Sequence, residues 1–267
     1  MYHSLIFTNR LENLLDPSGE HETGVFANTW DDWHLIPSSR PVVAPPALNE
    51  KFIEIPGLDG SFDATDFLTG YPTFKDRTGS IKFYVANDYW NWEVAYTTIM
   101  SFLHGQRMYM MLEDDPSYFY EGRFSIDEWA SEESNSTISI KYRVHPYKRS
   151  IITSVDDWLW DPFNFETGMI ELTLGLEIGT SLDSPTEYTI VGSDEPVRPT
   201  FRYAGNGILY ITYIYDGQEV EESFRYEDSP RSFPDILLRK GENVFRFYET
   251  GYTSSGNVSI VFRRGTF

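Results

Sequence analysis

Alternation of apolar and polar side chains over whole segments constrains this chain most, because a period of two suits a half-buried strand and cannot suit a helix. The clearest case sets Ile138, Ile140, Tyr142 and Val144 against Thr137, Ser139, Lys141 and Arg143. The pattern returns in Ile81, Phe83 and Val85, in Ile170, Leu172, Leu174, Leu176 and Ile178, and in Val258, Ile260 and Phe262. Asp216-Gly217 stands between GILYITYIY and QEVEESFRY. A type I′ turn favours that dipeptide because both central residues take positive φ, so a hairpin is expected there. One segment reads as helix: Trp92, Ala95, Tyr96, Ile99, Met100 and Leu103 share a stripe, with Asn91 able to cap it and Gly105 to end it. One helix among many strands predicts an all-β or β-rich α+β fold.

Between these regular segments lies TWDDWHLIPSSRPVVAPPALNEKFIEIPGLDGSFD, Thr29 to Asp63. Trp30 and Trp33 flank an acidic pair and are expected to pack at a strand edge or subunit boundary and not to line a ligand pocket. Pro37, Pro41, Pro45 and Pro46 then fix φ and remove backbone donors, which makes an extended, non-helical arm. Phe52, Ile53 and Ile55 read as a strand, and Pro56-Gly57 with Asp59-Gly60 as the turn chemistry after it.

The 267 residues, 40% hydrophobic, suffice for two ordinary domains or one large β domain. Aromatics make up 16%, a bias that suits strands and large protein interfaces. With no cysteine, disulfides, thiolate catalysis and the common zinc sites are excluded, and folding in a reducing cytoplasm follows. Neither a signal peptide nor a membrane span is expected, since no apolar run is long enough. The net charge of −20 divides into −12 for residues 1–147, ten basic against 22 acidic, and −8 for 148–267, 11 against 19. Such a surface repels nucleic acid. A composition shift at Pro146-Tyr147-Lys148-Arg149 marks the expected domain boundary, after which Asp156 to Pro162 is polar and aromatic without period.

The Thr29–Asp63 segment resembles the N-terminal signature of phage distal tail proteins, the baseplate hub of long-tailed phages of Gram-positive bacteria and their prophages. Further segments are similar to that family in order and spacing. They are Ser101-Phe102-Leu103-His104-Gly105, Leu112-Glu113-Asp114-Asp115-Pro116, Tyr118 to Arg123, Val144-His145-Pro146-Tyr147-Lys148, Lys240-Gly241-Glu242-Asn243, and Gly256 to Gly265. The resemblance is weakest from about Ser150 to Thr200.

The resemblance implies a tail-tube-like belt domain over residues 1–147, with one helix, and a galectin-like β-sandwich over 148–267. It implies a structural virion protein at the tail tip, assembled in the host bacterial cytoplasm. Six copies would close into a ring that continues the tail-tube protein, holds the tail-associated hub protein below and lets DNA pass without specific binding. The sandwich can anchor a receptor-binding protein. No enzyme activity, cofactor or metal is implied, and no membrane insertion.

The residues themselves agree that chemistry is hard to find. All five histidines, at 3, 21, 34, 104 and 145, fall in the first half, and no GxSxG elbow occurs. His104 sits where the helix should end, an ordinary position for a hydrogen-bonding side chain. Glu113, Asp114 and Asp115 offer carboxylates for a glycosidase, but beside Pro116 a solvated hairpin turn is the better account. Asp59, Ser61, Asp63 and Asp66 suggest calcium, yet Ala64 and Gly70 stand where an EF-type loop needs Gly and Glu. No catalytic, cofactor-binding or metal residue is therefore assigned. Trp158, Trp160, Tyr210, Tyr213 and Tyr215 could form a sugar platform, which keeps a carbohydrate-binding adhesin acting through the second domain as the alternative.

Overall fold

The computed structural model describes residues 3–15, 17–22, 24–57, 59–86, 92–131, 136–151, 170–174, 178, 181–250 and 256–267. The chain divides into two compact units, Met1–Lys148 with Phe267, and Arg149–Thr266.

The first unit is built on one antiparallel sheet. Its strands are β1 (Leu5–Thr8), β2 (Phe26–Asn28), β3 (Leu35–Pro37), β6 (Arg77–Val85), β7 (Arg107–Leu112), β8 (Tyr118–Ser131) and β9 (Ser136–Val144), in the order β2-β1-β7-β8-β9-β6-β3. A separate two-stranded hairpin joins β4 (Phe52–Glu54) to β5 (Ser61–Asp63). In β6 and β9 the alternation of the sequence becomes burial: Ile81, Phe83 and Val85 pair with Ile140, Ile138 and Ser136, all facing one core. The same core takes Leu5 and Phe7 from β1 and Met108 and Met110 from β7.

α1 (Trp92–Leu103) is the one α-helix among the described residues. Ala95, Ile99 and Leu103 recur every fourth residue and are fully buried. Gly105 follows at φ +75°. Asn91 and the side chain of Trp92 lie outside the described residues. Beyond the helix, His104 Nδ1 accepts from the N–H of Ile126 at 3.2 Å, where the β8–β9 register skips Asp127 in a bulge. No described helix is long and apolar enough to cross a membrane.

β10 (Lys148–Ser150) starts on the last residue of the first unit and runs into the second, in which two antiparallel sheets share a core. One sheet orders β11 (Ile170–Leu174), β17 (Asn257–Phe262) and β13 (Thr200–Ala204) as β11-β17-β13. The other orders β12 (Thr186–Gly192), β16 (Gly241–Thr250), β14 (Ile208–Tyr215) and β15 (Gln218–Arg225) as β12-β16-β14-β15. The short β18 (Gly265–Thr266) closes the chain. Phe201, Tyr203, Ile260 and Phe262 of the first sheet meet Leu209, Ile211, Phe245 and Phe247 of the second. The expected hairpin is present: Tyr215 pairs with Gln218, and Asp216 and Gly217 turn at φ 49° and 73°. The fold is thus β-rich with a single α-helix among the described residues. Asp156 to Pro162, with Trp158 and Trp160, lies outside the described residues.

Candidate assembly surface

The TWDDWHL segment folds as a network of caps joining β2 to β3. Asn28 Oδ1 accepts from the N–H of Trp30 at 2.9 Å and of Asp31 at 3.3 Å, while Asp32 Oδ2 accepts from the N–H of Asn28 at 2.7 Å. Thr29, fully buried, accepts at Oγ1 from the N–H of Leu5 at 2.8 Å and at its carbonyl from the N–H of Leu35 at 2.7 Å. Trp33 is not at an edge, contrary to the sequence expectation. It is 3% exposed, with Phe7 at 6.1 Å and Phe102 edge-on at 5.4 Å. Residues three apart in a tight turn point different ways, so Trp33 enters the core while Trp30 stays half-buried against His34.

The proline run that follows is an arm held at intervals. The N–H of Ser38 donates to Lys82 O at 2.8 Å, Arg40 Nε to Asp114 Oδ2 at 2.8 Å, and the N–H of Ala44 to the Tyr142 hydroxyl at 2.9 Å. Tyr142 reaches that point over Gly79, where a Cβ would stand 2.5 Å from its hydroxyl. Pro41 and Val43 are buried, and the arm is then tied by Lys75 N–H to Ala47 O and Asn49 N–H to Thr73 O.

The arm delivers the β4–β5 hairpin into solvent. Ile53 pairs with Phe62 and Phe52 with Asp63, and all six strand residues are exposed. With the adjacent turn, the hairpin presents Phe52, Ile53, Ile55, Phe62, Phe67 and Leu68 at 42% to 88% exposure. None of them belongs to either core. Isolated apolar residues on a surface need no explanation, but a cluster of this kind on a two-stranded hairpin does, because such a hairpin is marginal in water unless covered. Its base is locally organised: Asp63 accepts from Thr65, and that bonding holds the Asp63 carboxyl below the usual carboxylate range.

Each of the three carboxylates considered for hydrolysis is committed to a structural tie at the β7–β8 turn. Glu113 Oε2 accepts from the N–H and hydroxyl of Ser4 at 2.8 and 3.0 Å. Asp114 is gripped by His3 Nδ1 at 2.8 Å and by Arg40, hydrogen bonds that depress its pKa. Asp115 meets Lys148 Nζ at 2.7 Å, the ammonium lying 4.4 Å over the Tyr118 ring. Nearby, Arg77 is buried and its pKa lowered by desolvation. Its Nε donates to Pro146 O at 2.7 Å, fixing the segment after β9.

A cavity of about 1010 Å³ opens elsewhere in the first unit, between Pro17 to Glu22, strand β2 and the exposed face of α1. Thr97, Thr98 and Ser101 line one wall, Phe26 and Trp33 another. His21 stacks on Phe26 at 4.0 Å with its Nε2 buried and unpartnered. Sequence reasoning gave no hint of it, because its walls come from segments remote in the chain. Among the described residues no group of three or more His, Asp or Glu side chains is gathered to hold a metal.

In the second unit, Asn243 of the Lys240–Asn243 motif is completely buried. Its Oδ1 accepts from the Tyr213 hydroxyl at 2.9 Å and the N–H of Arg239 at 3.0 Å, and its Nδ2 donates to the carbonyls of Arg239, Gly241 and Ile190. The motif is a loop lock. Of the aromatic residues considered for sugar binding, Tyr213 is a core residue whose hydroxyl also donates to Leu237 O, and burial pushes its pKa up to about 12. Tyr215 donates to Lys240 O at 3.0 Å. Among the described ones, Tyr210 is the one left on the outer face, half-buried and stacked parallel on Tyr248 at 4.6 Å.

No family model matches this chain, and no curated protein matches it either. Among solved structures it is similar to the crystal structure of the SPP1 Dit (gp 19.1) protein, described as a paradigm of hub adsorption apparatus in phages infecting Gram-positive bacteria. The TM-score is 0.52 at 12% identity, covering 86% of this chain and 93% of that one. The chain therefore has the Dit fold, the fold that the resemblance of its sequence segments implies.

Proposed function

We propose that this chain is a distal tail hub of a phage, a structural virion component at the tail tip without catalytic function. The observation that carries the reading is a fold likeness to a tail hub protein that spans both units of the chain. The first unit acts as a belt domain that closes with five copies of itself into a ring, continuing the tail-tube protein above and holding the tail-associated hub protein below. The second unit acts as a galectin-like sandwich that anchors peripheral parts, a receptor-binding protein among them. DNA passes through the ring without specific binding, in keeping with the −20 net charge. Assembly takes place in the host bacterial cytoplasm.

The exposed hairpin and the acidic composition both support an assembly role. Apolar side chains that the isolated chain leaves in water suit a protein whose interfaces are all occupied in a closed ring. Negative-stain images of the purified protein mixed with tail-tube protein test this: sixfold rings capping tube ends are expected, and tubes with bare ends refute it. The adhesin alternative rests on the Tyr210–Tyr248 stack and predicts saturable binding of cell-wall polysaccharide by the isolated protein.

A further inference from the structure

Asn206 is the one asparagine of the chain followed by glycine, and it stands exposed in the turn between β13 and β14. With no Cβ on the next residue, little hinders the approach of the Gly207 nitrogen to the Asn206 side-chain carbonyl. The fold adds a base at that nitrogen. We infer that Asn206-Gly207 is a self-modifying site, at which Glu249 promotes loss of the side-chain amide and leaves aspartate or isoaspartate at position 206. The inference stands apart from the hub reading and adds an activity to the second unit.

Glu249, on β16, is 4% exposed. Its Oε1 accepts from the N–H of Gly207 at 3.0 Å, within the reach of a general base. Its Oε2 accepts from the N–H of Gly256 at 3.0 Å, which fixes the direction of the carboxylate. Tyr203, fully buried, serves the same place: its hydroxyl oxygen accepts from the N–H of Gly207 at 3.2 Å. Burial, and then its hydrogen bond to Glu249, raise the Tyr203 pKa, so the hydroxyl stays a donor to the carboxylate. The turn lies so close over these groups that a Cβ on Gly207 would overlap Thr250 O, and one on Gly205 the Tyr203 hydroxyl. A main-chain amide held this way against a buried carboxylate has its N–H bond polarised where water competes little.

The step balances without an oxidant or any reactant besides water. The Gly207 amide proton passes to Glu249 Oε1 as the nitrogen bonds to Cγ of Asn206. The Cγ–Nδ2 bond then breaks and ammonia leaves with that proton, which restores the carboxylate and closes a succinimide. Water opens the ring at either carbonyl and returns a proton to the nitrogen, giving aspartate or isoaspartate. Both products put a new negative charge on the turn, and isoaspartate also lengthens the main chain there by one carbon.

The test follows the full-length protein at neutral pH by mass spectrometry of its tryptic peptides. Peptide 203–225, which carries Asn206, should gain about 1 Da, with the isoaspartate form separated by its elution. The gain in the native protein should run more than about tenfold faster than in the same chain unfolded in urea, where Glu249 no longer meets the turn. Glu249→Gln, its folding checked by circular dichroism, should slow the native rate by more than about tenfold and leave the rate in urea unchanged. Asn206→Gln should remove the gain, and persistence of the gain there places the change elsewhere and overturns the proposal. A native rate equal to or below the unfolded one overturns it too, because the fold then shields the site. So does a folded Glu249→Gln protein that changes as fast as wild type. If Glu249→Gln does not fold, the comparison of native with unfolded wild type decides alone.

Discussion

Replacing Asn243 by Ala tests whether the Lys240–Asn243 signature is a structural lock. The substitution deletes one acceptor serving two donors and one amide serving three carbonyls, all at a site with no exposed surface. Tyr213 keeps its bond to Leu237 O, but the N–H of Arg239 loses its Asn243 partner. A buried donor left unpaired costs about 1–3 kcal/mol, and carbonyls that lose one partner add less, so a total near 3 kcal/mol is expected. For a unit of this size each kcal/mol lowers Tm by about 3–5 °C. Scanning calorimetry of the full chain should then show the second unit's transition some 10 °C lower and the first unit's unmoved. Tyr213→Phe alone should cost about 1 kcal/mol, and the double variant less than the sum, because the two side chains share a bond. A shift under about 2 °C for Asn243→Ala, with wild-type cooperativity, would refute the lock.

Other expectations follow from the same geometry. Asp114 has a depressed folded pKa, so its ties to His3 and Arg40 contribute stability that is fully present above its ordinary value of 3.8 and lost as pH falls through the lower folded value. The urea-midpoint gap between wild type and Asp114→Asn should accordingly close on acidification, and a gap independent of pH contradicts the assignment. Trp33→Ala should destabilise the first unit by about 3–5 kcal/mol, as loss of a large core aromatic does, whereas Trp30→Ala should cost much less; equal costs in denaturant titrations would return both to the surface. Acidic side chains should outnumber basic ones on the inner wall of a determined ring, and the ring should show no DNA affinity at physiological salt by fluorescence anisotropy. A basic lumen would contradict this.

Local chemistry was legible in the sequence where neighbours along the chain decide the structure. Ile138 to Val144 and Ile81 to Val85 form strands because alternation matches the pleat, and Asp216-Gly217 turns because its backbone must. The arm read correctly as non-helical, since four prolines forbid anything else. What failed depended on contacts remote in sequence. The burial of Trp33 departs from the expected strand edge or subunit boundary, since nothing in TWDDWH tells that Phe7 and Phe102 converge on it. The bulge at Asp127 depends on His104, 23 positions away, and the cavity on segments that meet only in the fold. Glu113, Asp114 and Asp115 were placed in a turn by Pro116, but their separate partners, Ser4, His3 with Arg40, and Lys148, belong to the tertiary structure.

The central claim is that the chain works as a ring, and the mass of the purified particle tests it most directly. Native mass spectrometry, on the protein alone and after addition of tail-tube protein, should find a species of about 186 kDa for six chains of 31.0 kDa, alone or bound to the tube. A 31.0 kDa monomer under both conditions, at high concentration, would contradict the account.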